Sequence, residues 1–172
     1  MTMTMARRRC LLLAAAAGIG AALPSAASAA VAQPGDTIDW PPLRLLGGGT
    51  LAASAWHGTA SVLVLWATWC AYCQRHNAQL DKLQRAIAGR PLRIIGVATD
   101  GDEALVRRSV AQRGYTFPVT LDAEPLRSRL TARRSVPMTF VIDARGRLKQ
   151  AIPGEMTESD VLGLASLALA SG

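Results

Sequence analysis

Histidine, cysteine and lysine are the scarcest functional residues of this chain: two His, three Cys and two Lys among 172 residues, beside two Tyr and two Phe. Three thiols are too few for a small fold held by several disulfides. A zinc site of four protein ligands would consume Cys70, Cys73, His57 and His76 together, and these residues lack a zinc-ligand spacing. Charged residues make up 18% of a chain that is half apolar, which excludes intrinsic disorder. Seventeen of the 19 basic residues are Arg, scattered without interleaved aromatics, so no nucleic-acid partner is expected. There is no internal repeat, and the length is that of one domain.

What the sequence does contain is unevenly placed. Arg7, Arg8 and Arg9 precede an apolar Leu/Ala/Gly run from Leu11 to Leu23, and Ala27-Ser28-Ala29 follows. A positive start, a short apolar stretch and an A-x-A site are the layout of a signal peptide for export, here residues 1–29. Consecutive arginines also match the twin-arginine pattern in outline. The apolar run of 13 residues is shorter than the ~20 needed to span a bilayer. Cys10 precedes that run, so it is not placed as a lipoprotein cysteine. Cleavage after Ala29 leaves 16 basic and 12 acidic residues, lowers the formal charge from +7 to +4, and leaves Cys70 and Cys73 as the sole thiols. A pair so close in sequence closes almost no loop and adds little stability through chain entropy, so its expected use is chemical.

Residues 30–42 read as an extended lead-in, interrupted by Pro34-Gly35 and Pro41-Pro42. The Gly47-Gly48-Gly49 triplet between Leu43–Leu46 and Thr50–Ala53 signals a β-hairpin. Ser61–Trp66 and Leu92–Ala98 are apolar runs of strand length, as expected for strands buried on both faces. Between them Cys73, His76, Leu80, Leu83 and Ile87 recur every three or four residues, one stripe of a helix, which Gly89-Arg90-Pro91 stops. Asp100 or Asp102 is placed to cap a second helix ending near Gly114. A short extended piece at 117–121 and a short helix from Glu124 to Leu130 precede a hairpin of Met138–Ile142 and Arg147–Ile152. Thr157 with Asp160 predicts a capping box for a final helix to Ala170. The order implies a three-layer α/β sandwich with a mixed central sheet flanked by helices, preceded by an N-terminal hairpin.

The Cys-x-x-Cys pair falls where a buried strand turns into a helix. Cys70, at the helix N-terminus, is stabilised as a thiolate by unpaired backbone N–H groups and the helix dipole. Cys73, one turn in, faces the core. The expectation is that Cys70 attacks a partner disulfide and Cys73 resolves the mixed disulfide. No dissociable cofactor is required, because the redox centre is the Cys70–Cys73 pair. His76 shares the stripe with Cys73 and is the candidate for proton exchange with it; the competing reading makes it a solvated residue at the stripe's edge. Trp66 and Trp69 read as packing around the motif, with Trp69 shielding the pair, and His57 as an ordinary loop residue.

Trp66-Ala67-Thr68-Trp69-Cys70-Ala71-Tyr72-Cys73 resembles the active-site segment of TlpA/ResA-like thiol-disulfide oxidoreductases of the thioredoxin-like superfamily. Val136-Pro137-Met138-Thr139-Phe140-Val141-Ile142-Asp143 followed by Gly146 is similar to their cis-proline loop, strand and hairpin. The resemblance runs from about Leu43 onward and makes 43–172 a thioredoxin-like domain. It implies that Pro137 is cis beside the cysteines, that the Val136 backbone and Trp69 meet substrate, and that the protein is a periplasmic reductant. Its partners would be protein disulfides, including those met in cytochrome c maturation, and a DsbD/CcdA-type membrane electron donor; a monomer is expected. Three positions depart from relatives: Val64 replaces the buried Asp of thioredoxin itself, and His76 and Ala78 stand where many exported relatives have Glu and Pro. Ala71-Tyr72 also differs from the Gly-Pro or Pro-Pro of reducing relatives.

The alternatives fit less well. Gln74 after Cys73 rules out the usual haem-attachment motif, which needs His. Thr68 stands two rather than three residues before Cys70, unlike a peroxidatic Thr-x-x-Cys. Copper(I) would suit two thiolates, which makes a metallochaperone-like module on the same fold the runner-up, although the wider cysteine spacing and distant His of such modules are missing. Arg107, Arg108, Arg113, Arg127, Arg129, Arg133 and Arg134 approach Pro137 in sequence, either as a solvated face or as a docking surface for an acidic partner.

Overall fold

The computed structural model describes residues 31–170. The segment read as a signal peptide, with Cys10, lies outside the described residues. In chain order the elements are β1 (Leu43–Arg44), β2 (Thr50–Leu51), β3 (Ala60–Trp66), α1 (Ala71–Ala86), β4 (Leu92–Ala98), α2 (Glu103–Arg113), β5 (Val119–Thr120), α3 (Ala123–Leu130), β6 (Met138–Ile142), β7 (Leu148–Pro153) and α4 (Glu158–Leu169).

The sheet is organised around β3, all seven residues of which are buried. β4 runs parallel to it, Val62 opposite Ile94 and Val64 opposite Gly96. On its other side β6 runs antiparallel, with Leu63 opposite Phe140. β5 extends the sheet in parallel beyond β4, and β7 closes the far edge antiparallel to β6, giving the order β5-β4-β3-β6-β7. This is the mixed sheet of a thioredoxin-like sandwich, with the predicted antiparallel hairpin β1–β2 as a separate two-stranded ribbon.

Because side chains alternate along a strand, β3 feeds two cores. Val62, Val64 and Trp66 meet Leu80 and Leu83 of α1, Val106 of α2 and Val161 and Leu164 of α4. Leu63 and Leu65 point the other way, to Leu126 and Leu130 of α3 and to Trp40, Leu43 and Trp56. The stripe Cys73, His76, Leu80, Leu83 and Ile87 is buried along its whole length. Of the two proposed caps for α2, Asp102 has the role: its carboxylate accepts the Leu105 N–H at 3.1 Å. Gly114 ends that helix in the left-handed region (φ 64°), which glycine adopts at little cost. At α4 the reciprocal pair runs through the hydroxyl rather than the Thr157 amide: Thr157 Oγ1 accepts the Asp160 N–H and donates to the Asp160 carboxylate.

The extended segment before β1 is built into the fold. Ile38 and Trp40 are buried, Trp40 stacks on Trp56 with ring centroids 4.1 Å apart, and its Nε1 donates to the Gly146 carbonyl at 2.8 Å. Trp56 lies in a 3-10 turn, Ala53–Trp56, that the sequence pattern does not announce. Composition marked residues 31–42 by their prolines; their two apolar anchors decide where they pack.

Gly96, facing Val64 across β3 and β4, has no room for a side chain. A Cβ there would come within 2.8 Å of the Phe117 ring and 3.1 Å of Trp66 Nε1. Gly96→Ala is therefore expected to lower unfolding stability by about 1–3 kcal/mol through overpacking, measured by denaturant titration; an unchanged midpoint would show that the Phe117 ring yields freely.

Candidate active site at the start of α1

Cys70 is the last extended residue (φ −87°, ψ 107°) before α1, and its sulfur caps the helix by accepting the Cys73 N–H at 3.1 Å. The Cys70 carbonyl accepts the Gln74 N–H, the first bond of the helix. No acidic side chain occupies the first turn, so the positive helix end faces the cysteine uncompensated. Cys70 and Cys73 are joined as a disulfide with Cα atoms 5.2 Å apart. Cys70 retains 5% exposure and Cys73 none; solvent, and hence a partner sulfur, reaches the pair from the Cys70 side.

A second set of bonds holds the loop that presents Cys70. The Asp100 carboxylate, at the end of β4, accepts the Thr68 hydroxyl at 2.6 Å and the Thr68 N–H at 3.0 Å. Gln74 Nε2 donates to the Thr68 carbonyl at 3.0 Å, and the Trp66 carbonyl accepts from both the amide and the hydroxyl of Thr99. Every polar group of Thr68 is thus engaged between β4 and α1. Sequence reasoning placed Asp100 only as an alternative helix cap. The cue was present: Asp100 follows the strand that pairs with β3, so it ends beside the loop that β3 feeds.

The Val136–Pro137 bond is cis, and the Val136 carbonyl oxygen lies 3.8 Å from Cys70 Sγ. A disulfide sulfur has no proton to donate, so this is a packing contact. Trp66 is fully buried, whereas Trp69, just before the nearly buried Cys70 in the chain, and Tyr72, two residues after it, are 76% and 62% exposed. Tyr72 is backed by the Arg75 guanidinium, 4.9 Å from its ring centroid. Arg75 makes a bidentate pair with Glu155, at 2.8 and 2.7 Å, and the guanidinium holds the Glu155 carboxyl below the usual carboxylate range.

His76 is fully buried, which overturns the reading of a solvated edge residue. Its Nδ1 accepts the Met156 N–H at 3.3 Å, which places the ring proton on Nε2, 2.9 Å from Thr139 Oγ1. Both nitrogens are therefore committed, to β6 and to the segment leading into α4. Burial pushes its pKa down to about 4, with the Glu155 charge opposing the shift. The ring is a neutral strut across the site in this oxidised form. His57 is exposed and abuts Gly146. Gly146 follows β6 and His57 precedes β3, so this His stands at the opposite end of the sheet from Cys70, about 20 Å along a seven-residue strand. Cys70, Cys73, His57 and His76 do not converge, and no group of three or more His, Cys, Asp or Glu is placed to hold a metal ion among the described residues.

A mixed sheet carrying a helix-capping Cys-x-x-Cys pair opposite a cis-proline defines a thioredoxin-fold protein with a disulfide centre. The chain belongs to the Redoxin family, whose model matches residues 20–166. It is 29% identical over 108 residues to the thiol-disulfide oxidoreductase ResA of Geobacillus kaustophilus, covering 63% of this chain and 62% of the relative. The chain thus spans less than two thirds of the length of that curated relative. It is 26% identical over 122 residues to the thioredoxin-like protein YneN of Bacillus subtilis, covering 69% of this chain and 71% of the relative. Among solved structures, a thiol:disulfide interchange protein of the thioredoxin family from Chlorobium tepidum superposes with a TM-score of 0.69 at 23% identity, over 82% of this chain and all of that one.

The unfolded chain protonates His76 near 6.5 and the folded one near 4, so between these values the unfolded state binds more protons. The stability linked to His76 is complete above pH 6.5 and is lost as pH falls toward 4, by up to about 3 kcal/mol. His76→Gln should remove this part of the pH dependence. Denaturant unfolding of both proteins from pH 7 to 4 checks it, and parallel profiles would contradict a neutral buried imidazole.

Proposed function

We propose that this chain is an exported thiol-disulfide oxidoreductase that reduces or exchanges disulfides of periplasmic proteins. One observation carries the reading: the accessible sulfur of the pair, Cys70, is the helix cap, while its partner Cys73 is sealed in the core. In the reduced protein the Cys73 N–H and the α1 dipole favour a Cys70 thiolate. That thiolate attacks one sulfur of a partner disulfide, forms a mixed disulfide and releases the other partner sulfur as a thiolate. Cys73 then loses its proton and attacks Cys70 Sγ, so the second partner thiolate departs and the Cys70–Cys73 disulfide forms. Two electrons pass to the partner, and a dithiol donor must restore them.

Trp69 and the Val136–Pro137 segment form the walls beside Cys70, where a substrate chain would lie in extended form against the Val136 backbone. The N-terminal arginines and apolar run support export. The likeness to ResA supports a reductant fed by a DsbD/CcdA-type membrane protein, with the haem-site cysteines of cytochrome c maturation among its substrates. The redox centre is complete in the cysteine pair, without a dissociable cofactor, and the protein acts as a monomer. His76 takes part in proton transfer to Cys73 only by releasing the Met156 N–H; in that case His76→Ala shifts the pH dependence of Cys73 alkylation.

The test is to trap the covalent intermediate. Cys73→Ala, expressed with its export sequence, is expected to accumulate mixed disulfides through Cys70 that dithiothreitol releases, and adding Cys70→Ala should abolish them. A trap that captures nothing, combined with stoichiometric copper(I) binding by the unmutated protein, would move the assignment to a metal-binding module.

A further inference from the structure

Between Glu124 and Asp143 the chain carries four arginines and no carboxylate. Their fates differ. Arg127 is buried, and its Nη1 donates to the Arg133 carbonyl at 2.6 Å. The Arg133 N–H donates to Thr131 Oγ1 at 3.0 Å, and the Thr131 N–H to the Arg127 carbonyl at 2.9 Å. Arg129 faces Asp39 at 3.8 Å. Arg133 and Arg134 are left exposed, with no carboxylate in ion-pair range among the described residues. A buried guanidinium thus fixes the backbone from which two unpaired ones project.

These two arginines immediately precede Ser135 and Val136, and the Val136 carbonyl lies 3.8 Å from Cys70 Sγ. Three residues of extended chain reach about 10 Å, so the Cα atoms that carry both charges stand within that reach of the Val136 backbone. Along the chain at Cys70 itself the exposed side chains are Trp69 and Tyr72, and Arg75, whose guanidinium lies over the Tyr72 ring, is paired with Glu155. The segment at Cys70 therefore exposes aromatic surface, whereas the loop that leads to Pro137 exposes two cations with no carboxylate in ion-pair range among the described residues.

We propose that Arg133 and Arg134 select the partner: an extended polypeptide with carboxylate side chains within about three residues of its reactive cysteine. This rests on the oxidoreductase reading above and adds the substrate class. Opposite charges meeting before sulfur attack raise the encounter rate, and salt weakens that steering. The buried Arg127 holds the loop in place beforehand, so little ordering is required when the acidic segment arrives.

Two synthetic peptides serve as probes, each bearing one cysteine as a mixed disulfide with pyridine-2-thiol, whose release is followed by absorbance. One has Glu at the second and third positions on both sides of its cysteine, the other Lys. The reduced protein is expected to react about tenfold faster with the Glu peptide at low ionic strength, and the ratio should collapse at high salt. Arg133→Glu/Arg134→Glu should reverse the preference. Arg108→Glu/Arg113→Glu, an equal charge change on α2, should keep the wild-type ratio. Equal rates for the two peptides in the wild type, or the same reversal in Arg108→Glu/Arg113→Glu, would overturn the inference. Failure to react with either peptide would overturn the oxidoreductase reading itself.

Discussion

The sulfur of Cys70 occupies the position where a helix most needs an acceptor. The first N–H groups of α1 have no partner within the helix, and the cap is a cysteine rather than a Ser, Thr or Asp, with the Cys73 N–H 3.1 Å from its sulfur. In the reduced protein a cysteine at this cap is thereby biased toward its thiolate. Much of the surrounding architecture fixes that cap in place. β3, buried on both faces, delivers the chain to it, Asp100 and Gln74 clamp Thr68 two residues earlier, and the apolar stripe of α1 seals Cys73 against the sheet.

This arrangement divides one disulfide into two unlike sulfurs. Burial raises the cost of a charge on Cys73, while the helix end lowers it on Cys70. In the proposed mechanism this asymmetry sets the order of events: the reachable sulfur, favoured as a thiolate once the pair is reduced, attacks first. His76 completes the enclosure from the core side, linking α1 to β6 through Thr139 and to the approach of α4 through Met156. A neutral imidazole with both nitrogens bonded spans this gap without bringing a negative charge toward Cys73.

The strands and the α1 stripe were legible because burial on both faces and helical spacing each leave a strong pattern in the sequence. The cysteine pair, Val136–Pro137 and the fold class could be read from short motifs that join specific elements. Three features were not legible, for one shared reason: polar side chains were read by their exposed defaults. Asp100 looked like a helix cap and instead anchors the reactive loop. Arg127 looked like one of a solvated row and is buried beneath Arg133. His76, read either as the proton partner of Cys73 or as a solvated residue at the stripe's edge, is enclosed with both nitrogens bonded. Each partner lies more than 30 residues away or across a loop whose course local spacing does not reveal, and Trp40 with Trp56 joined the core in the same unannounced way.

The most direct test of the Cys70 cap is the titration of the two thiols in the reduced protein. Alkylation with iodoacetamide is followed over pH, and mass spectrometry assigns the modified residue. The account predicts that Cys70 is modified first, with a pKa below the ordinary value of about 8.5, while Cys73 remains protected until higher pH. Faster modification of Cys73, or a Cys70 pKa at or above the ordinary value, would contradict it.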